Sequence, residues 1–186
     1  MFADNGFEET TAEDIAEALG VSRRTLFRYY PSKNDIVWGD FDWVLDRLRR
    51  HLDATHAAEP LMQALARAVI ASNHYEPNQL AELRIRMTLI TNVPALQAHS
   101  MLRYAAWRTV VAEYAARRLG QRPEDLAPQT IAHAALGTSM AAFVRWVQRP
   151  QDDLEENLRR GYSLLGSGFQ LADRPVADGR LEPTSS

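Results

Sequence analysis

Apolar residues recur at helical spacing along most of the chain, and prolines and glycines stand where such runs would start and stop. Near the N-terminus, Ile15, Leu19, Val21 and Leu26 are apolar positions that can meet across Gly20-Val21-Ser22. This pattern predicts two short helices joined by a tight turn, because glycine tolerates the left-handed conformation of a helix C-cap. Thr10 with Glu13 three residues on reads as the capping box of the first helix, and Ser22 as the cap of the second. Ser32 is expected to cap one long helix over 33–56, with Trp38, Phe41, Val44, Leu45, Leu48 and Leu52 on its apolar side. Pro60, Pro77 and Pro94 suit a helical first turn, so helices are predicted over 60–74, 77–91 and 94–119, the last stopped by Gly120. Two more follow over 127–148 and 152–171, separated by Arg149-Pro150-Gln151. No extended strand pattern occurs, so the predicted fold class is all-α, with a helix-turn-helix unit over 1–38 and a larger helical unit over 39–172. Beyond these, 173–186 is rich in Asp, Pro, Gly and Ser and is predicted to be a disordered tail.

Charge changes the meaning of the first unit. Arg23 and Arg24 open one predicted helix and Lys33 opens the next, although a helix N-terminus carries roughly +0.5 charge and favours anions. From Val21 to Asn34 there is no acidic residue, while Glu8, Glu9, Glu13, Asp14 and Glu17 precede the window and Asp35, Asp40, Asp42 and Asp46 follow it. Lys33 is moreover the only lysine in the chain. A local basic window of this kind calls for an external anion, which the phosphates of a duplex supply. Ser22, Arg23, Arg24, Thr25, Phe27, Arg28 and Tyr29 lie on or beside the face that the apolar scaffold leaves free.

Composition narrows the rest. The chain has 186 residues, 46% of them hydrophobic, and a formal net charge of −3, which suits a soluble protein reading a specific site rather than one coating DNA. It contains no cysteine, so disulfides and thiol chemistry are excluded, and its five histidines show no metal-ligand spacing. No secretory signal and no stretch long enough to span a bilayer is visible, so a cytoplasmic protein without a membrane partner is expected. G-x-S-x-G, Walker A, Rossmann and HExxH patterns are lacking, and Asp152-Asp153 and Glu155-Glu156 read as helix-start charges. The chain is therefore not expected to be an enzyme, and no catalytic residue or cofactor is assigned.

Two further features are apolar. Leu83 and Met87, with Tyr104, Trp107 and Val111, can line a cavity between helices, and Arg84 and Arg103 beside them can meet an acidic ligand group. Plain core packing is the competing reading for each. On the last two predicted helices Ala135, Ser139, Ala142 and Trp146 form one stripe and Leu158, Gly161, Leu165 and Gly168 another, expected to meet the same faces of a second copy in a homodimer. The alternative is that both stripes face the core of their own subunit.

The segment GVSRRTLFRYYPSKNDI resembles the DNA-binding signature of the TetR family of bacterial repressors. The resemblance implies that Thr11 touches the DNA backbone, that Arg23, Arg24 and Arg28 read bases, and that Thr25, Tyr29 and Lys33 hold phosphate. Phe27 departs from it, because a tyrosine whose hydroxyl reaches phosphate is common there. SKNDIVWGDFDW is similar to the mycofactocin-associated subgroup of that family, which implies an acyl-CoA effector. The implied function is a ligand-responsive repressor that binds palindromic double-stranded operator DNA as a homodimer and is released by a hydrophobic or acyl-CoA-like small molecule. In that family a helix of some fifteen residues precedes the pair matched by Gly6-Phe7, whereas here only Met1 to Asp4 stand for its end. Either the true start lies upstream or the reading domain is incomplete. This keeps a second reading open, a helical ligand-binding or interaction protein that has lost DNA binding.

Overall fold

The computed structural model describes residues 1–169, with the side chains of Ala3 and Asp4 excepted. The predicted tail over 173–186 lies outside the described residues. Ten α-helices and no strand occur among them: α1 Phe2–Asn5, α2 Ala12–Ala18, α3 Arg23–Tyr29, α4 Lys33–Trp38, α5 Phe41–Asp53, α6 Leu61–Ser72, α7 Pro77–Asn92, α8 Pro94–Leu119, α9 Leu126–Gln148 and α10 Leu154–Gly166.

Local chemistry sets most of these boundaries. The first capping box falls one residue later than the spacing predicted. Thr11 Oγ1 accepts from the Asp14 N–H at 3.1 Å, and the Asp14 carboxylate accepts from the Thr11 N–H at 2.8 Å. Thr10 is fully buried, its hydroxyl donating to the Gly6 carbonyl at 2.7 Å. Ser22 and Ser32 cap as expected, accepting from the N–H groups of Thr25 at 3.1 Å and Asp35 at 3.2 Å. The expectation that Leu19 and Val21 are scaffold is corrected, since they are 62% and 39% exposed. The small core is instead Ala12, Ile15, Ala16 and Leu26, with Phe2, Phe27, Tyr30 and Ile36 packed against it.

The single long helix expected over 33–56 is two helices. Gly39, at φ 64° and ψ −151°, ends α4, and Asp40 starts α5 by accepting from the Trp43 N–H at 3.0 Å. That region of backbone space is open essentially to glycine alone. The break turns the chain so that α4 rests on α7 and α8 while α5 runs against α6 and α8. The main core forms where α9 packs between α8 and α10, and it includes Leu48, Leu65, Val69, Leu96, Val111 and Leu158, all fully buried. Phe7, Val37 and Trp38 belong to this same cluster, so the small N-terminal unit shares a core with the larger one.

Gly39→Ala is expected to lower stability by about 1–3 kcal/mol through the strained backbone alone, or roughly 2–4 °C in the thermal midpoint per kcal/mol for a chain of this size. Gly120→Ala, at φ 65° and ψ 34° in the milder left-handed region, serves as the comparison. Thermal unfolding of both variants checks this, and a smaller loss at position 39 than at 120 would show the break to be unnecessary.

Candidate DNA-reading head and effector cavity

The reading head takes its shape from α2 to α4. Arg23, Arg24, Arg28 and Tyr29 are exposed along α3, with Thr25 half-buried behind them. Arg23 pairs with Glu13 of α2 at 2.5 Å and lies 5.3 Å from the centre of the Phe27 ring, so its charge is partly neutralised within the chain. Arg28 lies over the Tyr29 ring at 5.0 Å and donates to its hydroxyl at 3.3 Å. Arg24 takes no ion pair or hydrogen bond among the described residues, which leaves its guanidinium fork free. The hydroxyls of Thr11 and Ser22 are engaged in their caps, and Ser22 Oγ stands 2.9 Å from Thr25 Oγ1.

Lys33 corrects the expectation that the cation at the start of α4 needs an external anion. Its Nζ donates to the carbonyls of Phe7 at 2.8 Å and Glu8 at 3.3 Å and sits 4.2 Å from the centre of the Phe7 ring. These carbonyls and the negative face of the ring stabilise the charge inside the chain. The lysine thereby ties the start of α4 to the segment after α1.

Asp35 is the junction residue that sequence reasoning missed. It lies in the first turn of α4 and is only 8% exposed. Its carboxylate accepts from Ser32 Oγ at 2.6 Å, from Arg103 Nη2 at 2.7 Å and from His99 Nε2 at 2.9 Å. Burial pushes the carboxyl upward, but the hydrogen bonds from Ser32, Arg103 and His99 outweigh it and hold the group below its ordinary value. Two of these donors belong to α8, so the cluster fastens the head to the body. Acidity at helix position N3 reads from sequence as dipole complementarity; its partners stand 64 and 68 residues away.

A cavity of about 120 Å³ lies directly below, walled by α4, α5, α7, α8 and α9. Leu83, Met87, Tyr104 and Trp107 are brought together around it, joined by Trp38 and Phe41 from the α4–α5 break. The other residues assigned to a ligand stand elsewhere. Val111 is fully buried core. Arg84 is stacked 3.9 Å from the centre of the Trp146 ring and donates to the carbonyls of Trp146 and Pro150. Arg103 is held by Asp35 and by the Phe41 ring, 5.5 Å from its guanidinium. The arginine that does line the cavity is Arg86, paired with Glu82 at 2.8 Å.

The expected subunit stripes are also corrected. Ala135, Ser139, Ala142, Trp146 and Leu158 are 0 to 7% exposed within the single chain, and Ser139 Oγ meets the Tyr162 hydroxyl at 3.0 Å. Leu165 packs against the same core. A Cβ on Gly161 would stand 2.9 Å from Thr138 Cγ2, so this glycine lets α10 approach α9 closely, and with Ala142 it also lines the groove the two helices leave open. Gly168 lies past the end of α10 at φ 66°. What α9 and α10 leave open is a shallow groove lined by Thr138, Ala141, Arg145, Arg160, Leu164 and Phe169.

A helix-turn-helix with an arginine-bearing second helix, fastened to an all-α body, is the architecture of a helix-turn-helix DNA-binding regulator. Residues 1–37 match the family model described as bacterial regulatory proteins, tetR family, and residues 59–170 match the MftR C-terminal domain. The chain belongs to the TetR family, and it is a transcriptional regulator of the repressor-like kind. It is 41% identical, over 91% of its length and 85% of the relative's, to MftR of Mycobacterium tuberculosis, a protein named for transcriptional regulation of mycofactocin biosynthesis. It is 28% identical to the HTH-type transcriptional regulator TcmR of Streptomyces glaucescens, over 83% of this chain and 72% of that one. The structure of Thermus thermophilus FadR, a TetR-family repressor in complex with lauroyl-CoA, superposes with a TM-score of 0.59 at 25% identity, over 96% of this chain and 94% of that one. No helix among the described residues is long and apolar enough to cross a membrane, and no group of three or more potential metal ligands is gathered.

Asp35→Asn is expected to cost about 1.5–3 kcal/mol, the usual worth of hydrogen bonds to a charged group. The folded carboxyl sits below its unfolded value of about 3.9, so its contribution is complete above that pH and is lost as pH falls through the folded value. Urea unfolding of wild type and variant should therefore show a gap that narrows as pH falls from about 5 into strong acid. A gap that widened on acidification would contradict this account of the cluster.

Proposed function

We propose that the chain is a dimeric, effector-released repressor of palindromic operator DNA. Arg24 and Arg28 read base edges, Thr11, Ser22, Thr25 and Tyr29 contact phosphate, and Arg23 joins them once Glu13 lets go. Two heads set about 34–36 Å apart, or a multiple of it, would face successive major grooves on one side of the duplex. The observation that carries the effector half is that Trp38 and Phe41, at the junction of α4 and α5, wall the cavity. Whatever enters it meets the same short helix whose other end is fastened by Asp35.

The effector class proposed is an acyl thioester, supported by the lauroyl-CoA complex of the structural relative and by the apolar lining. A cavity of about 150 Å³ holds one benzene-sized group, so a long chain needs the walls to part. Arg86, at the cavity wall, replaces Arg84 and Arg103 as the candidate for the acidic head.

An effector acts on DNA binding only through its differential affinity for the two conformations, and the coupling is reciprocal. Acyl-CoAs of several chain lengths titrated against the free protein and against its operator complex should bind the complex about tenfold more weakly for each tenfold loss in operator affinity. Arg24→Ala should relax base preference by about 1–3 kcal/mol at one operator position. Equal acyl-CoA affinity in both titrations, or unchanged base preference in the variant, would remove the corresponding half of the proposal.

Dimerisation is proposed through the open groove of α9 and α10, which takes in Ala142 and Gly161 of the expected stripes while their other buried residues pack inside the subunit. Ala141→Arg combined with Leu164→Arg should give monomers with an unchanged thermal midpoint for the subunit fold. Sedimentation at micromolar concentration tests it, and a wild-type monomer or a dimeric variant would refute this face.

A further inference from the structure

Trp38 carries a hydrogen-bond donor with nowhere to go. The residue is 8% exposed, and its indole Nε1 is the only buried side-chain nitrogen or oxygen without a hydrogen-bond partner among the described residues. Buried polar groups are nearly always paired, and an unpaired N–H in an apolar setting is costly. Its surroundings offer little relief. Trp38 meets Phe41 and Tyr104 edge to face, with ring centres 5.2 and 5.7 Å away, and aromatic faces are weak acceptors at best. The residue also lines the cavity.

We infer that the cavity takes an apolar ligand bearing a neutral hydrogen-bond acceptor, a carbonyl oxygen, and that Trp38 Nε1 is the donor that receives it. This rests on the cavity being the effector's place, as proposed above, and adds which atom of the ligand is read and by which residue. A pure hydrocarbon would leave the donor unpaired, whereas a carbonyl completes it without displacing any existing protein partner, once the ligand has parted the cavity wall far enough to bare Nε1, which is itself buried before binding. The carbonyl of an acyl thioester and that of a simple ketone share this chemistry, and the two sources are separable by experiment. Because Trp38 is the last residue of α4 and Asp35 lies one turn before it, the hydrogen bond also holds the helix that joins cavity to head.

The test uses the full chain and two probe pairs, each with and without the carbonyl: acetophenone against ethylbenzene, and dodecanoyl-CoA against S-dodecyl-CoA. The four tryptophan indole N–H resonances are followed by NMR, with Trp38 assigned from W38F. Acetophenone and dodecanoyl-CoA should move the Trp38 indole proton downfield, while their carbonyl-free partners should not. In calorimetric titrations wild type should prefer dodecanoyl-CoA over S-dodecyl-CoA by about 5- to 30-fold, in line with a donor that is unpaired before binding. W38F, which keeps an aromatic ring in the wall, should bind the two alike. A Trp38 resonance that ignores acetophenone, a W38F variant that keeps the preference, or no cavity resonance responding to any probe overturns the inference. Operator release by acyl-CoA with a silent Trp38 would sink this inference and leave the effector proposal standing. A Trp38 response to acetophenone with no acyl-CoA effect on operator binding would do the reverse.

Discussion

A helix of six residues cannot hold itself in water, because nucleation costs more than so few hydrogen bonds return. Helix α4 is that short, and with Phe7 it forms the junction between head and body. What fixes it is the buried Asp35 carboxylate with its three donors, two of them on α8. Removing one partner of such a cluster leaves the others desolvated without compensation, so the arrangement is stable only when complete. The carboxylate thus pins α4 to α8, alongside the apolar packing of Val37 and Trp38 in the main core.

The other end of α4 is defined with equal economy. Gly39 stops it, Asp40 restarts the chain, and Trp38 closes the cavity wall between Phe41 and Tyr104. At its start, Lys33 ties the helix to the Phe7 and Glu8 carbonyls, so neither its first nor its last residue is free. The head therefore cannot tilt without disturbing either the Asp35 cluster or the cavity wall. Packed interiors switch between discrete arrangements rather than deforming smoothly, which suits a regulator that must be either competent or incompetent to bind.

Sequence patterning made the class of fold legible because its information is local. Serine caps, first-turn prolines and the Gly120 stop act within a few residues, and the helices they announced lie close to where they were expected. The slip from Thr10 to Thr11 has the same origin: both threonines precede a carboxylate at capping-box spacing, and only the burial of Thr10 decides between them. Gly39-Asp40 carried a local signal too, a helix stop followed by an N-cap, but the continuous apolar stripe from Trp38 to Leu52 masked it. The cluster joining Asp35 to His99 and Arg103, by contrast, depends on a fold that periodicity does not specify. For the same reason the stripes on α9 and α10 were misplaced: helical spacing identifies an apolar face without saying whether its own subunit or another one covers it.

Size decides what kind of coupling the cavity can support. At about 120 Å³ it is smaller than the engineered hole of about 150 Å³ that accepts benzene, so a small group fits with the walls where they stand. A longer chain held wholly inside would have to separate Trp38 and Phe41 from Leu83, Met87 and Tyr104, and parting apolar walls loses contact energy on every side at once. That loss has to be offset by the ligand's own burial, at about 0.8 kcal/mol for each CH₂ removed from water. The balance shifts with chain length, because the opening cost is incurred once while burial accumulates with every added carbon. Since α4 is one of the walls, the proposed effector role links chain length to head position: a ligand just long enough to open the cavity would be the shortest one to disturb the Asp35 cluster.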